Sequence, residues 1–260
     1  SFILPILSLL IFFSPAKAET KVVTSIKPIH SLASYLMDGV SKPGLIVDGY
    51  ASPHGFAMKP SHAKMLQEAD LNFWVGEDLE NFLEKPLKSI AKKAEKIELM
   101  ETKGLNKIKF RERNIFDGHD DHGHNDGHKE DDHDDHAKKE DDHGHDDEHK
   151  EDSHDDEHKE DGHDDHAGHA HGEYDPHIWL DPSNAKVILK EMAEHLIEKD
   201  QKNASIYKSN LKKALKDLDK LTKNVKSDLN KDFKSIVFHD AYQYFEKRFD
   251  VNIMGAFTVN

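Results

Sequence analysis

A long stretch with almost no apolar side chains limits what this chain can fold into. Residues 117 to 173 contain 25 acidic residues, 15 histidines and 5 lysines, and their only apolar residues are three alanines. Such a segment buries too little apolar surface to offset the entropy that a chain loses when it becomes ordered. We therefore predict a disordered loop at residues 117 to 173, with folded parts before and after it.

The same stretch contains an imperfect repeat that is rich in metal ligands. From residue 129 it reads KEDDHDDHA, KEDDHGHDDEH, KEDSHDDEH and KEDGHDDHA, and a period of 9 to 11 residues is too short and too polar for a solenoid. Imidazoles flanked by carboxylates can surround a divalent ion in many equivalent ways, so we predict weak, exchangeable binding with which protons compete. The alternative is a tolerated surface insertion without a role in metal handling. The candidate low-affinity ligands are His119, His122, His124, His128, His133, His136, His143, His145, His149, His154, His158, His163, His166, His169 and His171.

The N-terminus has the features of an export signal. Residues 1 to 13 are mostly apolar, and the small-residue pattern Ala16-Lys17-Ala18 follows them. The run is too short to cross a bilayer and shows no amphipathic period, which favours a cleaved signal peptide over a buried helix. We predict that residues 1 to 18 are removed and that the protein is exported. Because no initiator Met precedes the run, we expect this sequence to begin inside a precursor.

Cysteine content and charge exclude several classes of protein. The chain has no cysteine, so an exported form would have neither disulfides nor the thiol that a bacterial lipid anchor needs. We expect a soluble protein outside the cytoplasm, which means the periplasm in a bacterium with two membranes. Without residues 117 to 173 the net charge is +5, so the overall −15 comes from that stretch. The lysines are scattered without interleaved aromatic residues, which excludes nucleic acid as a partner.

Before the insert, short apolar runs alternate with helical patterns. The runs lie at residues 21 to 25, 44 to 49, 71 to 75 and 96 to 100, and the last helical pattern between them covers residues 79 to 94. Strands that alternate with helices are typical of a parallel sheet covered on both faces. We therefore predict that residues 19 to 116 form an N-terminal α/β lobe.

After the insert, the pattern predicts a connection between two lobes. A proline-containing loop at residues 174 to 182 is followed by helical patterns at residues 183 to 197 and about 203 to 229, the second of which would be about 40 Å long. We assign residues 174 to 229 to an interlobe segment with a long linker helix. A strand, a helix and a further strand then begin a C-terminal α/β lobe at residues 230 to 260, which we expect to be incomplete in this chain.

Six histidines lie outside the insert, and three of them share a setting. His54 follows the second predicted strand, His177 lies in the proline-flanked loop, and His239 follows the strand at residues 234 to 238. Ligands of open parallel sheets bind at the carboxyl ends of strands, and three imidazoles with one further ligand can hold zinc. From spacing alone, capping or surface positions stay open as the alternative. We assign His62 and His195 to the surface.

Four longer motifs resemble one known family. They are TSIKPIHSLAS at residues 24 to 34, ASPHGFAMKPSHAKMLQEADLNFWVG at 51 to 76, DPHIWLDPSNA at 175 to 185 and VFHDAYQYFEKRF at 237 to 249. Their content and order resemble the ZnuA family, the periplasmic zinc-binding components of bacterial ABC importers, within the wider cluster A-I of metal receptors. The resemblance extends over essentially the whole chain from residue 21.

The resemblance implies a fold, a ligand set and a function. Family members have two Rossmann-like α/β lobes joined by a long helix, with the metal in the interlobe cleft. By motif, His54, His177 and His239 match the family's three histidine ligands, and its fourth ligand would lie beyond Asn260. Related manganese receptors place a carboxylate at the position of His239, so the nitrogen set favours Zn2+. We expect a monomeric receptor that captures periplasmic zinc and delivers it to an inner-membrane ABC permease, without catalysis.

The sequence alone leaves two other functions open. A zinc-dependent hydrolase also uses three histidines with an open fourth position, although the sequence contains neither an H-E-x-x-H nor a G-x-S-x-G motif. A zinc-buffering or adhesin-like surface protein would depend on the histidine-rich insert and not on the three separated histidines. His30, near the start of a predicted helix, is a candidate to support the three-histidine site without binding the metal.

Overall fold

The computed structural model describes residues 19–111, 172–230, 232 and 234–258. The predicted signal peptide at residues 1 to 18 lies outside the described residues. The predicted histidine-rich loop does too, apart from residues 172 and 173. Signal cleavage, the disorder of the loop and the 15 auxiliary histidines therefore stay predictions.

Four parallel strands form the first sheet, which confirms the α/β prediction for the residues before the insert. The strands are β1 (Val22–Ile26), β2 (Gly44–Val47), β3 (Leu71–Trp74) and β4 (Glu95–Glu98), in the order β2-β1-β3-β4. Every residue of β1 and β3 is buried, as expected for inner strands covered by helices on both faces. The carboxyl ends of parallel strands lie at one edge, where the segments after β1 and β2 begin.

Three helices alternate with these strands. They are α1 (Lys27–Leu36), α2 (Pro60–Glu68) and α3 (Glu77–Ser89). Helix α1 buries Ile29, Ala33 and Leu36, which lie on one face because they are four and three residues apart. Pro28 lies in the first turn of α1, where a missing N–H removes no helical hydrogen bond. The amphipathic pattern thus holds the helix against the sheet.

Two long helices follow the insert. They are α4 (Pro182–Lys199) and α5 (Ala204–Asp228), which pack against each other and against α1. The contact of α5 with α1 includes a hydrogen bond from Asn210 Nδ2 to the carbonyl oxygen of Leu36, 2.8 Å long. The 25 residues of α5 span about 38 Å, which confirms the predicted long helix. Among the described residues, no helix is both long and apolar enough to cross a membrane.

A second, two-stranded parallel sheet follows α5. It consists of β5 (Lys234–His239) and β6 (Asn252–Thr258), connected by helix α6 (Gln243–Phe249). Strand β5 continues through His239, so this histidine is the last residue of the strand and does not follow it as predicted. Ile236, Phe238 and Phe257 are exposed on this sheet, whereas Ile253 and Ala256 are buried.

Candidate metal centre

The three histidines that the sequence singled out lie together. Ring centroids are 5.0 Å apart for His54 and His239, 5.2 Å for His177 and His239, and 5.8 Å for His54 and His177. One ring nitrogen of each residue lies within 4.8 Å of the other two. Nitrogens on one zinc ion at about 2.0–2.1 Å would be somewhat closer together. A small inward movement of the rings would therefore bring all three into bonding distance of one ion.

His54 is presented by the loop that follows β2. The backbone N–H of His54 donates to Ser52 Oγ at 3.2 Å, and Gly49 and Gly55 have φ values of 74° and 99°. Residues with a side chain rarely adopt such positive values, so glycine permits the two tight bends of this loop. The loop starts at the carboxyl end of β2, which is where the parallel sheet predicted a ligand site.

His177 is oriented by a carboxylate two residues before it. Asp175 Oδ1 lies 2.6 Å from His177 Nδ1 and also accepts the backbone N–H of His177 at 2.9 Å. A carboxylate oxygen only accepts, so Nδ1 carries the proton and Nε2 is the nitrogen left for a metal. His177 is 4% exposed, and its ring contacts Trp179 edge to face at a centroid distance of 5.3 Å. Its orientation is therefore fixed on two sides.

His239 brings a buried nitrogen to the cluster. Its Nε2 has no hydrogen-bond partner among the described residues, although it is inaccessible to solvent. An unpaired buried polar atom is costly, and a bound cation would satisfy it. Burial, followed by the charge of His177, lowers the pKa of His239 and favours the neutral imidazole that binds metals.

The three rings line a cavity of about 250 Å³. Its other lining residues are mostly apolar, and they are Ile26, Lys27, Pro28, Val47, Gly49, Ala51, Ser52, Pro53, Trp179 and Ala241. Among the described residues, the three histidines are the one cluster of side chains suited to hold a metal ion, and it includes no carboxylate. Three imidazole nitrogens favour zinc over harder cations, and a fourth position is left for water or another ligand.

The other histidines of the described residues lie elsewhere. His30 Nε2 lies 3.1 Å from the carbonyl oxygen of Pro43 and lines a different cavity, so His30 does not support the cluster. His62 Nδ1 accepts the backbone N–H of Lys59 at the start of α2. His195 is partly exposed and lies 2.7 Å from Glu95. None of the three belongs to the cluster, because His62 caps α2, His195 is partly exposed beside Glu95, and His30 contacts a backbone carbonyl oxygen.

Sequence reasoning missed the side chains that support the cluster. Asp175 is one of them. Its position two residues before His177 could have indicated this role, because a metal-binding histidine often donates its second ring N–H to a nearby carboxylate. Gln243 on α6 is another, because its Nε2 donates to Asp175 Oδ2 at 3.0 Å across 68 residues of sequence. Nothing in a local pattern indicates that second contact.

Helix α6 is also held against the segments around His177 by two arginines. Arg248 donates to both carboxylate oxygens of Asp181 at 2.6 and 2.7 Å, and Asp181 caps α4 by accepting from the backbone N–H of Ser183. Arg111 pairs with Glu246, which lies on α6. The bidentate pair of Arg248 with Asp181 fixes geometry as well as adding attraction. The position of His239 relative to His177 is thereby constrained.

Comparisons with known proteins agree with this fold. A family model described as "ZnuA: Zinc-uptake complex component A periplasmic" matches residues 22–260. Over 241 residues the chain is 48% identical to the high-affinity zinc uptake system protein ZnuA of Brucella abortus, covering 92% of this chain and 67% of that protein. The corresponding Haemophilus influenzae protein is 40% identical over 249 residues, covering 95% and 71%. The chain thus spans about two thirds of the length of these relatives.

Solved structures show the same architecture. A crystal structure of ZnuA aligns with a TM-score of 0.60 at 18% identity, covering 90% of this chain and 69% of that one. The periplasmic zinc-binding protein TroA from Treponema pallidum aligns with a TM-score of 0.64 at 15% identity, covering 93% and 68%. Identities this low show the fold alone. The family model and the relatives at 48% and 40% identity establish that this chain belongs to the ZnuA family of periplasmic zinc-uptake components.

Proposed function

We propose that this protein is a zinc receptor that captures the ion in the periplasm and delivers it to an inner-membrane ABC permease. The observation that carries the proposal is the convergence of three imidazoles from distant parts of the chain, one with a buried and unpaired nitrogen. The relatives are named as proteins of a high-affinity zinc uptake system, which supports zinc as the cargo. We infer that His54, His177 and His239 are its ligands.

The positions of these ligands suggest how the ion is released. His54 follows a strand of the first sheet, His177 precedes α4, and His239 ends a strand of the second sheet. Movement of the two sheets relative to each other would lengthen bonds to ligands on different sides. The permease would thus release zinc by separating the two parts, with no covalent step. We further propose that the receptor acts as a monomer after residues 1 to 18 have been removed.

Hydrolysis is the competing use of a three-histidine zinc site, and the surroundings of this cluster do not favour it. A hydrolase needs a carboxylate or another base that can take a proton from zinc-bound water. The carboxylate of Asp175 already accepts from His177 and Gln243 and is fully buried. We therefore expect the zinc-loaded protein to hydrolyse neither generic esters nor peptides. If it did hydrolyse them, and His177→Ala removed that activity, the receptor assignment would be wrong.

Replacing each ligand in turn tests the proposed function. We expect His54→Ala, His177→Ala and His239→Ala each to weaken the tight site by more than about 100-fold, since loss of an outer support alone costs about 10–100-fold. Competition with a chromophoric chelator of known affinity measures the tight site without counting weak ones. His62→Ala and His195→Ala are matched controls that should bind as tightly as the unmodified protein. Equal losses in these controls would show that the ligands have been misassigned.

A further inference from the structure

The two carboxylate oxygens of Asp175 accept hydrogen bonds from different segments of the chain. Asp175 is completely buried, and Oδ1 receives both the backbone N–H and the ring nitrogen Nδ1 of His177. Oδ2 instead receives the side-chain N–H of Gln243 at 3.0 Å. Buried charges need such partners, and each partner here also limits the rotation of the carboxylate. Gln243 therefore helps to decide where Asp175 holds the imidazole.

The backbone at Asp175 is anchored separately from its side chain. Its N–H donates to the carbonyl oxygen of Ile108 at 2.8 Å, and its carbonyl oxygen accepts from Tyr244 Oη at 2.8 Å. Tyr244 Oη in turn accepts the N–H of Ile108 at 3.0 Å. Removing the side-chain amide of Gln243 would leave these bonds in place. Its loss should therefore change the orientation of the carboxylate and not the path of the main chain.

Gln243 is close in sequence to another ligand candidate. It begins α6 four residues after His239, and the intervening turn is closed by a hydrogen bond from Ala241 N to the carbonyl oxygen of His239. One short segment thus provides an imidazole of the cluster and the donor that orients the carboxylate behind a second imidazole. Any displacement of α6 would affect both.

We propose that Gln243 is a positioning residue that acts through Asp175 to hold His177 in its zinc-binding orientation, so that the position of α6 sets the strength of the site. The proposal rests on the assignment of the three histidines as zinc ligands. Withdrawal of α6 would remove His239 and, at the same time, release the carboxylate that orients His177. Two ligands would then weaken together, which makes release of the ion more abrupt than loss of one bond would allow.

Gln243→Met tests the proposal because it keeps the length of the side chain and removes its donor. We expect zinc affinity to fall by about 10–100-fold, the usual effect of losing an outer support, through faster dissociation. The absorption spectrum of bound Co2+ should change as well, because the geometry of one imidazole changes. The metal-free variant should stay folded because the bonds of Tyr244 remain, with a modest drop in unfolding temperature because Asp175 Oδ2 loses its partner.

Exchanging the amide and the carboxylate between positions 243 and 175 should restore the contact and with it the zinc affinity. Gln243→Glu places a second carboxylate against Asp175 and should weaken zinc binding at least as much as Gln243→Met does. Adding Asp175→Asn would supply an amide whose nitrogen donates to the new carboxylate while its carbonyl oxygen still faces His177. We expect this double variant to recover most of the affinity that Gln243→Glu alone has lost. Failure of the rescue, with both proteins folded, would overturn the relay.

Arg248→Gln is the matched control, because it removes contacts of α6 with Asp181 and Ser183 that do not involve Asp175. The proposal requires a smaller loss of affinity in this variant than in Gln243→Met, and a smaller change in the Co2+ spectrum, because Asp175 keeps its donor from Gln243. Equal losses would overturn the relay, because α6 would then act only as a general contact. Unchanged zinc affinity in Gln243→Met, alongside loss in His177→Ala, would refute the relay and leave the receptor function intact. If the unmodified protein showed no tight zinc site, the function itself would fail.

Discussion

The buried carboxylate of Glu80 makes the fold sensitive to pH. Glu80 is completely buried near the start of α3, where its Oε2 accepts the backbone N–H groups of Val75 and Gly76 at 2.7 and 3.2 Å. Burial raises the pKa of Glu80 to about 7, and the charge of Glu98 adds to the rise, while Ser25 and the two backbone groups oppose it. The residue therefore changes charge close to neutral pH.

The raised pKa predicts the direction of the pH dependence. The folded state binds the proton of Glu80 more tightly than the unfolded state does, so protonation of Glu80 stabilises the fold. This contribution to the free energy of unfolding is fully present below the ordinary pKa of 4.5 and is lost as the pH rises through about 7. It amounts to at most roughly 3 kcal/mol. In Glu80→Gln this dependence should disappear, as measured by denaturant unfolding at pH 5 and pH 8. Glu77→Gln, at an exposed position of α3, is the control and should keep the pH dependence of the unmodified protein. If the free energy of unfolding of Glu80→Gln changed between pH 5 and pH 8 as much as that of the unmodified protein, the assignment to Glu80 would be wrong.

Residue types in short motifs allowed the candidate ligands to be chosen, but not their supports. Parallel topology made a shared site of His54, His177 and His239 plausible, and the motifs that resemble the ZnuA family selected these three as ligands. The hydrogen bond between Gln243 and Asp175 depends on how α6 packs, which is a tertiary property. His30 could not be placed for the same reason, because its partner is a carbonyl oxygen 13 residues away.

At the scale of an element, the loop that carries His54 depends on a glycine with a positive φ. Gly55 has a φ of 99°, and a Cβ atom there would meet no atom within 4 Å, so only the backbone conformation opposes a side chain. Gly39, beyond the end of α1, has a φ of 79° and equally open surroundings. The two glycines differ mainly in their distance along the chain from the cluster.

This pair of glycines provides a matched test. Gly55→Ala and Gly39→Ala should each lower the free energy of unfolding by about 1–2 kcal/mol, the cost of a left-handed conformation for an L-residue. Only Gly55→Ala should also weaken zinc binding, by roughly tenfold, because it displaces the neighbouring His54. Denaturant unfolding and chelator competition measure the two effects. Equal zinc affinity in both variants would show that the loop adapts without moving the imidazole.

The order of strands and helices was predictable because each has a clear periodic pattern, but their ends were not. The predicted helix at residues 79 to 94 instead begins at Glu77 and ends at Ser89. Glu80, inside α3, has a non-helical conformation, with φ of −125° and ψ of 47°, and its carboxylate accepts the N–H groups of Val75 and Gly76 just after β3. Such an interaction overrides local helix propensity.

At the scale of the whole molecule, the described residues on either side of residues 112 to 171 lie next to each other. Lys109 and Tyr174 form an antiparallel bridge, so the chain before this segment lies next to the chain after it. A short Gly-Ser linker can therefore replace residues 112 to 171 without stretching the described fold. We expect the shortened protein to keep one tight zinc site and to lose the weaker, exchangeable ones.

Equilibrium dialysis against zinc, with and without a competing chelator, measures both classes of site. The same replacement combined with His54→Ala is the control and should lose the remaining tight site. A protein whose main function is buffering through the insert would instead lose nearly all binding on shortening. That outcome would overturn the receptor assignment at the scale of the whole molecule.

The alternation of strands and helices was sufficient to predict the α/β architecture and the long helix α5. The contacts that fix α6 against the segment around His177 were not predictable, because Arg248 and Asp181 are 67 residues apart and their pairing exists only in the folded chain. The sequence pattern predicts the strands and helices, whereas these contacts form only when the helices and strands pack together. The ligand candidates could therefore be predicted from the sequence, and the residues that support them could not.

The wide separation of the three imidazoles along the chain has a consequence for the lifetime of the protein. No fragment shorter than residues 54 to 239 contains all three, so a tightly held ion stabilises the folded chain and adds little to the unfolded one. Proteases degrade a chain mainly when it opens, and a loaded receptor opens less often than an empty one. We therefore expect the amount of receptor that persists between rounds of synthesis to follow the zinc supply.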